Sequence, residues 1–181
     1  VLHIRTLTGL LLHQLAQKTD RYQLDESDIS LISTASALHD IGKIMIPEEI
    51  LNKPGRLTEE EYAAIKTHTT EGARILKGLA IGQDEPLVKV AHAICRWHHE
   101  RWDGGGYPDR LKGDEIPIAA QVVALADVYD ALTSERCYKQ SYSHEKAVDM
   151  ILHGECGSFN PLLMECLKES SELLRTELQR S

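Results

Sequence analysis

Apolar side chains recur at intervals of three and four residues along most of the chain. Ile4, Leu7 and Leu11 share one face of a first segment, which predicts an amphipathic helix at the beginning of the sequence. A second run through Ile29 and Ile32 predicts another helix. Because no segment shows the alternation that is typical of half-buried strands, the pattern predicts an all-α fold.

Capping residues predict where the later helices begin. They are a Thr58–Glu61 capping box, Ser143 as an N-cap, and Pro117 and Pro161 in first turns. A helix is also expected over residues 87–97, and Gly72 is expected to interrupt the helix that Thr58 opens. Pro161 is expected to open one last helix that runs through Leu174 towards the end. Two long connections remain, at about 43–57 and 101–116, and loops of that length in a compact domain are usually functional or mobile.

The length of 181 residues and the 42% hydrophobic content suit one globular domain. The sequence has no apolar run long enough to cross a bilayer and no secretory leader, so a cytoplasmic protein without membrane contact is expected. Val1 already belongs to an apolar pattern. Residues 1–181 are therefore expected to form a single domain, truncated at its N-terminus, of a longer protein.

Charge and cysteine content narrow the range of partners. A net charge of −8 argues against a polynucleotide ligand, because surfaces that bind long nucleic acids carry clustered Lys and Arg. The four cysteines form no CxxC pair, which favours reduced thiols over a zinc knuckle or a disulfide framework.

The pair best suited to metal chemistry is His39 and Asp40, which lie shortly before Gly42. Imidazole nitrogens and carboxylate oxygens bind divalent metals, and a carboxylate can bridge two ions. Adjacent residues on a helix diverge by about 100°. Both can therefore reach one metal cluster only if other helices close around them.

Further candidate ligands lie on predicted helices or at their ends, as expected when a bundle interior supplies inward-pointing donors. They are His68, the adjacent His98 and His99, and Asp127. Taken alone, a histidine such as His68 is more often a surface or capping residue, whereas Asp127 in an apolar helix needs a partner if it is buried. The remaining histidines are interpreted as structural (His92, His153) or as solvated helix positions (His13, His144).

Three segments, HDIGK (39–43), HHERWDGGGYP (98–108) and ADVYDALTSERCYK (126–139), together resemble the HD-GYP domain, a branch of the HD phosphohydrolases. The resemblance covers nearly the whole chain. It implies an HD-type helical bundle with a metal site in its interior that holds two or three divalent ions, iron or manganese. It also implies hydrolysis of cyclic di-GMP, as the output domain of a bacterial signalling protein.

The resemblance assigns roles residue by residue. The implied metal ligands are His39, Asp40, His68, His98, His99 and Asp127, with Asp40 bridging. Lys43 would reach the scissile phosphate and share the catalytic role with Asp40, and Tyr107 would line the substrate pocket. Arg136 and Lys139 would contact the other phosphate, although cations that merely suit a helix C-terminus are the alternative.

The chemistry fits these residue types. Two metal ions can lower the pKa of a bridging water towards neutrality and clamp the phosphodiester, while Lys43 stabilises charge that grows on the phosphate. A binding module that retains the cyclic dinucleotide or a protein partner without hydrolysis is the main alternative. A third reading is an HD enzyme for another phosphate ester or a related cyclic dinucleotide.

The sequence departs from the family pattern in three places. The Glu-x-x-x-His pair of the family's first helix falls before Val1 in the preferred alignment, and a shifted register would make His3 the ligand. Cys137 replaces a proline, and Asn160 replaces an aspartate, which suggests a changed cap on the last helix. The resemblance also suggests a sensory or receiver domain on the N-terminal side in the parent, and leaves the oligomeric state open, a homodimer included.

Overall fold

The chain forms a bundle of short helices in a computed structural model that describes residues 2–80, 82–135 and 140–180. The α-helices are α1 Leu2–Lys18, α2 Glu26–Ser36, α3 Glu48–Leu51, α4 Glu59–Lys66, α5 His68–Lys77, α6 Pro86–Trp97, α7 Ile118–Thr133, α8 His144–Leu152, α9 Pro161–Glu169 and α10 Ser171–Arg180, with 3-10 turns at Ile41–Met45 and Gly113–Glu115. These three ranges contain no strand, so the all-α prediction is confirmed.

Side-chain caps fix the beginnings of several helices as predicted. In the box that opens α4, the Thr58 backbone N–H donates to the Glu61 carboxylate at 2.9 Å, and the Glu61 N–H donates to the Thr58 hydroxyl at 3.1 Å. Ser143 caps α8, and the side-chain oxygen of Asn160 caps α9. Each contact satisfies a backbone donor that the first turn of a helix leaves unpaired.

Two predicted boundaries were wrong. The break between α4 and α5 falls at Thr67, and Gly72 lies inside α5, where its small size serves packing and not helix termination. The last helix is also not continuous, because Ser170 ends α9 and α10 begins at the next residue. This break lets α10 contact α1 and α8, with Leu174 buried in the core.

Helix α7 lies in the middle of the bundle and is apolar on nearly every face, which is the pattern of a helix surrounded by others. Helices α1, α6 and α8 pack against it, while α5 packs against α6 and the first 3-10 turn. Val122, Val123 and Leu125 of α7 are fully buried. In the described ranges, no helix combines the length and apolarity needed to cross a membrane.

His144 is not the solvated residue that the sequence predicted. It is 4% exposed. One ring nitrogen lies 2.8 Å from the Tyr129 hydroxyl, and the other lies 2.9 Å from the Ser171 hydroxyl. The imidazole therefore links α7, α8 and α10 through hydrogen bonds in the interior.

Candidate metal centre

His39 and Asp40 follow the end of α2, where the chain turns into the first 3-10 segment. The Nδ1–H of His39 donates to the Ser36 carbonyl at 2.7 Å, since a carbonyl oxygen can only accept. Its Nε2 consequently faces the Asp40 and Asp127 carboxylates, at 3.1 Å and 3.3 Å. A backbone carbonyl that holds the second nitrogen is the usual support of a metal-binding histidine.

His68 and His98 are oriented in the same way. Their Nδ1 atoms donate to the carbonyls of Ile65 at 2.6 Å and Ile94 at 2.9 Å. Their Nε2 atoms lie 3.4 Å apart, and each lies near the same Asp40 oxygen, at 3.3 Å and 3.5 Å. Two nitrogen lone pairs and a carboxylate oxygen thus converge, and such a group is stable only with a cation or a proton among its members.

The candidate donors fall into two neighbouring sets, in each of which one ligand atom per residue lies within 4.8 Å of the others. The sets are His68, His98 and His99, and His39, Asp40 and Asp127. Imidazole and carboxylate donors together suit first-row divalent metals. The fold therefore brings all six sequence-predicted ligands to one place, in an arrangement that fits metal ions.

The pKa values follow from burial and from the contacts between these groups. Burial lowers the pKa of His39, but its hydrogen bonds to Asp127 and Asp40 outweigh burial and raise the pKa to about 10. Burial lowers the pKa of His98, and lowers that of His99 to about 2. Burial raises the pKa of Asp40, yet the surrounding imidazoles hold it far below its usual range. A metal at His39 would therefore displace a proton, whereas His98 and His99 are already neutral.

Gly42 allows the close approach that joins Asp40 to His68. A Cβ at position 42 would lie 1.9 Å from the His68 carbonyl oxygen and 2.5 Å from the Gly72 nitrogen. Both neighbours are backbone atoms that cannot move aside. Only glycine lets the 3-10 turn rest directly on α5.

Glu100 organises the loop that follows the paired histidines. It is 2% exposed, and its two carboxylate oxygens accept the backbone N–H groups of Asp109 and Leu111, each at 2.7 Å. The loop also packs tightly, because a Cβ at Gly106 would lie 2.4 Å from the His99 carbonyl oxygen. The sequence had assigned no role to Glu100, although its place beside two histidines was a usable signal.

A cavity of about 800 Å³ opens beside the donor sets. Asp40, His68, His99 and Asp127 contribute to its wall, together with four cations, Lys43, Lys66, Arg101 and Arg110. The Lys43 ammonium lies 3.1 Å from an Asp40 oxygen. The Tyr107 ring also lines the cavity and stacks on His99, with ring centroids 4.9 Å apart and planes 10° from parallel.

The sequence did not single out Lys66, Arg101 or Arg110 for this cavity. No sequence pattern marked Lys66 or Arg110 as a cavity residue, because only the folding of α4 and of the loop after His99 brings them to the wall. Arg101 could have been singled out from the sequence, because it lies within the HHERWDGGGYP segment. Its position two residues after a candidate ligand marked it for closer inspection.

Other predicted residues lie elsewhere or outside the described ranges. His3 faces the Asp130 carboxylate at 3.6 Å and belongs to neither donor set, so the shifted register that would make it a ligand finds no support in this geometry. Arg136 and Lys139 lie outside the described residues. His13 and His153 are exposed, and His92 is half-buried at a distance from the candidate centre.

Comparison with known proteins finds a family model and several similar sequences. A model of the HD domain family matches residues 5–159. The chain is 44% identical over 151 residues to a probable cyclic di-GMP phosphodiesterase of Vibrio cholerae, covering 81% of this chain and 34% of that protein. It is 43% identical over 148 residues to the 3'3'-cGAMP-specific phosphodiesterase 2 of the same organism, covering 82% of this chain and 28% of that protein.

A solved structure supports the fold. Bd1817, a HDG"Y"P protein from Bdellovibrio bacteriovorus, aligns with a TM-score of 0.68 at 20% identity, over 95% of this chain and 53% of that one. At that identity the likeness concerns the fold alone. The chain spans about a third of the length of the two Vibrio relatives.

Proposed function

The chain belongs to the HD domain family, in its HD-GYP branch, and on that premise we propose that it hydrolyses cyclic di-GMP as a metal-dependent phosphodiesterase. One observation carries the proposal: six imidazole and carboxylate donors converge beside a cavity of about 800 Å³ whose wall also carries four cations. Such a cavity lies within the size range of small-molecule sites. Its cations suit a doubly charged dinucleotide.

Divalent metal binding follows from the family. The two donor sets would each hold one ion, with Asp40 between them, and we propose two or three ions of iron or manganese. When bound, these ions would polarise the phosphodiester and lower the pKa of the attacking water.

The side chains of the chain itself position and bind the substrate. Asp40 joins the two donor sets, since its two oxygens face His68 and His39. The Lys43 ammonium lies beside Asp40, where it would stabilise negative charge on the scissile phosphate. Tyr107 would support the substrate from the wall next to His99. Arg136 and Lys139 would bind the second phosphate, an assignment that rests on the sequence resemblance alone.

A second substrate is favoured by one specific observation. The chain is almost equally identical to a probable cyclic di-GMP phosphodiesterase and to a 3'3'-cGAMP-specific enzyme, at 44% and 43%. These cyclic dinucleotides share both phosphodiester bonds and differ in one base. Hydrolysis of 3'3'-cGAMP is therefore the alternative activity of the same centre.

The two Vibrio relatives are about three to four times as long as the aligned region. We propose that this domain is the output unit of a longer bacterial signalling protein, attached to a sensory or receiver domain. A cytoplasmic location would match that role.

The test is hydrolysis by protein loaded anaerobically with ferrous iron or with manganese. Cyclic di-GMP and 3'3'-cGAMP are supplied separately, and products are separated by chromatography. We expect a linear dinucleotide, and no product after chelation of the metal. Metal-loaded protein that binds either compound without cleaving it would show a binding module instead of an enzyme.

A further inference from the structure

Arg101 occupies an unusual position on the cavity wall. Its Nη1 donates to the carbonyl oxygens of Glu100 at 3.1 Å and His98 at 3.4 Å, and its side chain is partly buried. Both acceptors are neutral. The guanidinium therefore lies in the cavity wall, and these two contacts do not neutralise its positive charge.

No carboxylate lies within ion-pair distance of Arg101 in the part of the chain that the structure describes, and Nη1 is the only guanidinium nitrogen with a hydrogen bond there. The contrast with Arg96 is direct, because Arg96 forms a two-pronged ion pair with Asp109. An arginine remains charged at any physiological pH. A charge withdrawn from water without a counter-charge is unfavourable, so this position favours an incoming anion.

Contacts with the loop before α9 fix the position of the Arg101 guanidinium. Its central carbon lies 5.1 Å from the centroid of the Phe159 ring. A Cβ at Gly157 would lie 2.9 Å from the Arg101 Nε, so the backbone of the loop before α9 passes directly against the side chain. The backbone N–H of Trp102 donates to the Ser158 carbonyl at 3.0 Å and ties that loop to Arg101's own segment. Arg101 is therefore positioned before any ligand arrives, which reduces the entropy lost on binding.

The surroundings point to a phosphate and not to a base. Arg101 shares the cavity wall with His99 and Asp127, which belong to the two donor sets, and with Lys43. A phosphodiester must lie against those donors if it is to be hydrolysed. We propose that Arg101 is a substrate-binding residue whose remaining N–H groups bind a phosphate oxygen of the cyclic dinucleotide, an inference that rests on the proposed function. The planar donor fork of arginine matches phosphate oxygens, and a lysine ammonium does so less well.

The test compares Arg101→Met and Arg101→Lys with the wild type in metal-loaded protein. Methionine retains most of the apolar stem over Phe159 and removes the charge. We expect Arg101→Met to raise the KM for the cyclic dinucleotide by about 10- to 100-fold, as for a lost charge-assisted hydrogen bond, with bound metal unchanged. Arg101→Lys should recover part of the affinity. Arg74→Met, which removes an exposed arginine of α5, is the matched control and should change neither quantity.

The opposite results are equally distinct. If the bound metal and kcat both fall in the two Arg101 variants while KM stays unchanged, Arg101 only stabilises the loop that carries the histidines, and the inference is wrong. A wild type without turnover would contradict the proposed function. The inference is then decided by calorimetric titration of cyclic di-GMP into metal-loaded wild type and Arg101→Met, where equal affinities, or no binding by the wild type, would overturn it.

Discussion

One oxygen of Asp40 lies 3.3 Å from the Nε2 of His68, although a 3-10 turn and two helices separate these residues along the chain. The other oxygen faces His39 at 3.1 Å. The carboxylate of Asp40 is therefore the group through which the two donor sets meet.

Asp40→Ala should remove the link between the donor sets. We expect bound metal to fall and hydrolysis to drop by at least about 100-fold, more than is usual for loss of a supporting residue. Elemental analysis and a turnover assay measure both effects. Asp149→Ala removes an exposed carboxylate on α8 and serves as the control. Near-normal turnover of Asp40→Ala with one metal per chain would rule out the multi-metal mechanism.

Gly42→Ala should destabilise the fold and separate Asp40 from His68. The added Cβ would meet three backbone atoms at less than 3 Å, and overpacking of this kind costs about 1–3 kcal/mol or more. Urea unfolding and metal content are the measurements. Gly9→Ala is the control, because its Cβ would lie 3.4 Å from a Ser33 hydroxyl and alanine favours helices. A Gly42→Ala protein as stable as the wild type would contradict the close packing described here.

Lys43→Met should lower kcat more than it raises KM. The Lys43 ammonium lies beside Asp40 and the cavity, and a charge that stabilises the transition state contributes chiefly to kcat, by about 100- to 1000-fold where such a donor is removed. Steady-state kinetics at constant metal loading separates the two constants. Lys146→Met, on the exposed face of α8, should leave both unchanged. A rise in KM alone would make Lys43 a binding residue only.

His144→Gln should make stability less sensitive to acid. Burial lowers the pKa of His144 below its usual 6.5, so the unfolded chain binds a proton that the folded chain does not. Its contribution to stability is therefore complete above about pH 6.5 and is lost as the pH falls below that value. We expect the variant to be less stable near neutrality by about 1–3 kcal/mol, because the Tyr129 hydroxyl loses its buried partner, and to lose less further stability in acid.

Urea unfolding at about pH 7.5 and about pH 5.5, with excess chelator so that metal binding does not contribute, measures this difference. His153→Gln, at an exposed position, controls for the loss of an imidazole. Parallel pH dependence in the wild type and His144→Gln would show that His144 is not the group responsible.

Arg136→Ala should raise KM much more than it lowers kcat, because a contact to the distal phosphate binds substrate and transition state equally. Arg136 lies outside the described residues, so this prediction rests on the sequence resemblance. Steady-state kinetics beside Arg74→Met checks it. An unchanged KM would favour the alternative interpretation, in which Arg136 is only a cation that suits a helix C-terminus.

The sequence by itself determined the helical class, most helix beginnings and the types of donor side chain. These features depend on local rules, since apolar spacing and a capping pair such as Thr58 and Glu61 act within one or two turns. The family resemblance assigned roles to the candidate ligands and added the candidate substrate-binding residues, because specific residue types stand at specific spacings in three short segments.

Tertiary structure alone decided which atoms meet. Gly72 was expected to break a helix, but α5 runs through it because α6 packs closely against that side, and His144 proved buried because α10 turns back over it. Glu100 found its partners 9 and 11 residues further along its own loop, and the Arg101 side chain is placed by the loop before α9. Periodicity and capping describe neighbours along the chain, whereas burial, charge compensation and close backbone approach depend on segments that are distant in sequence, so no local pattern encodes them.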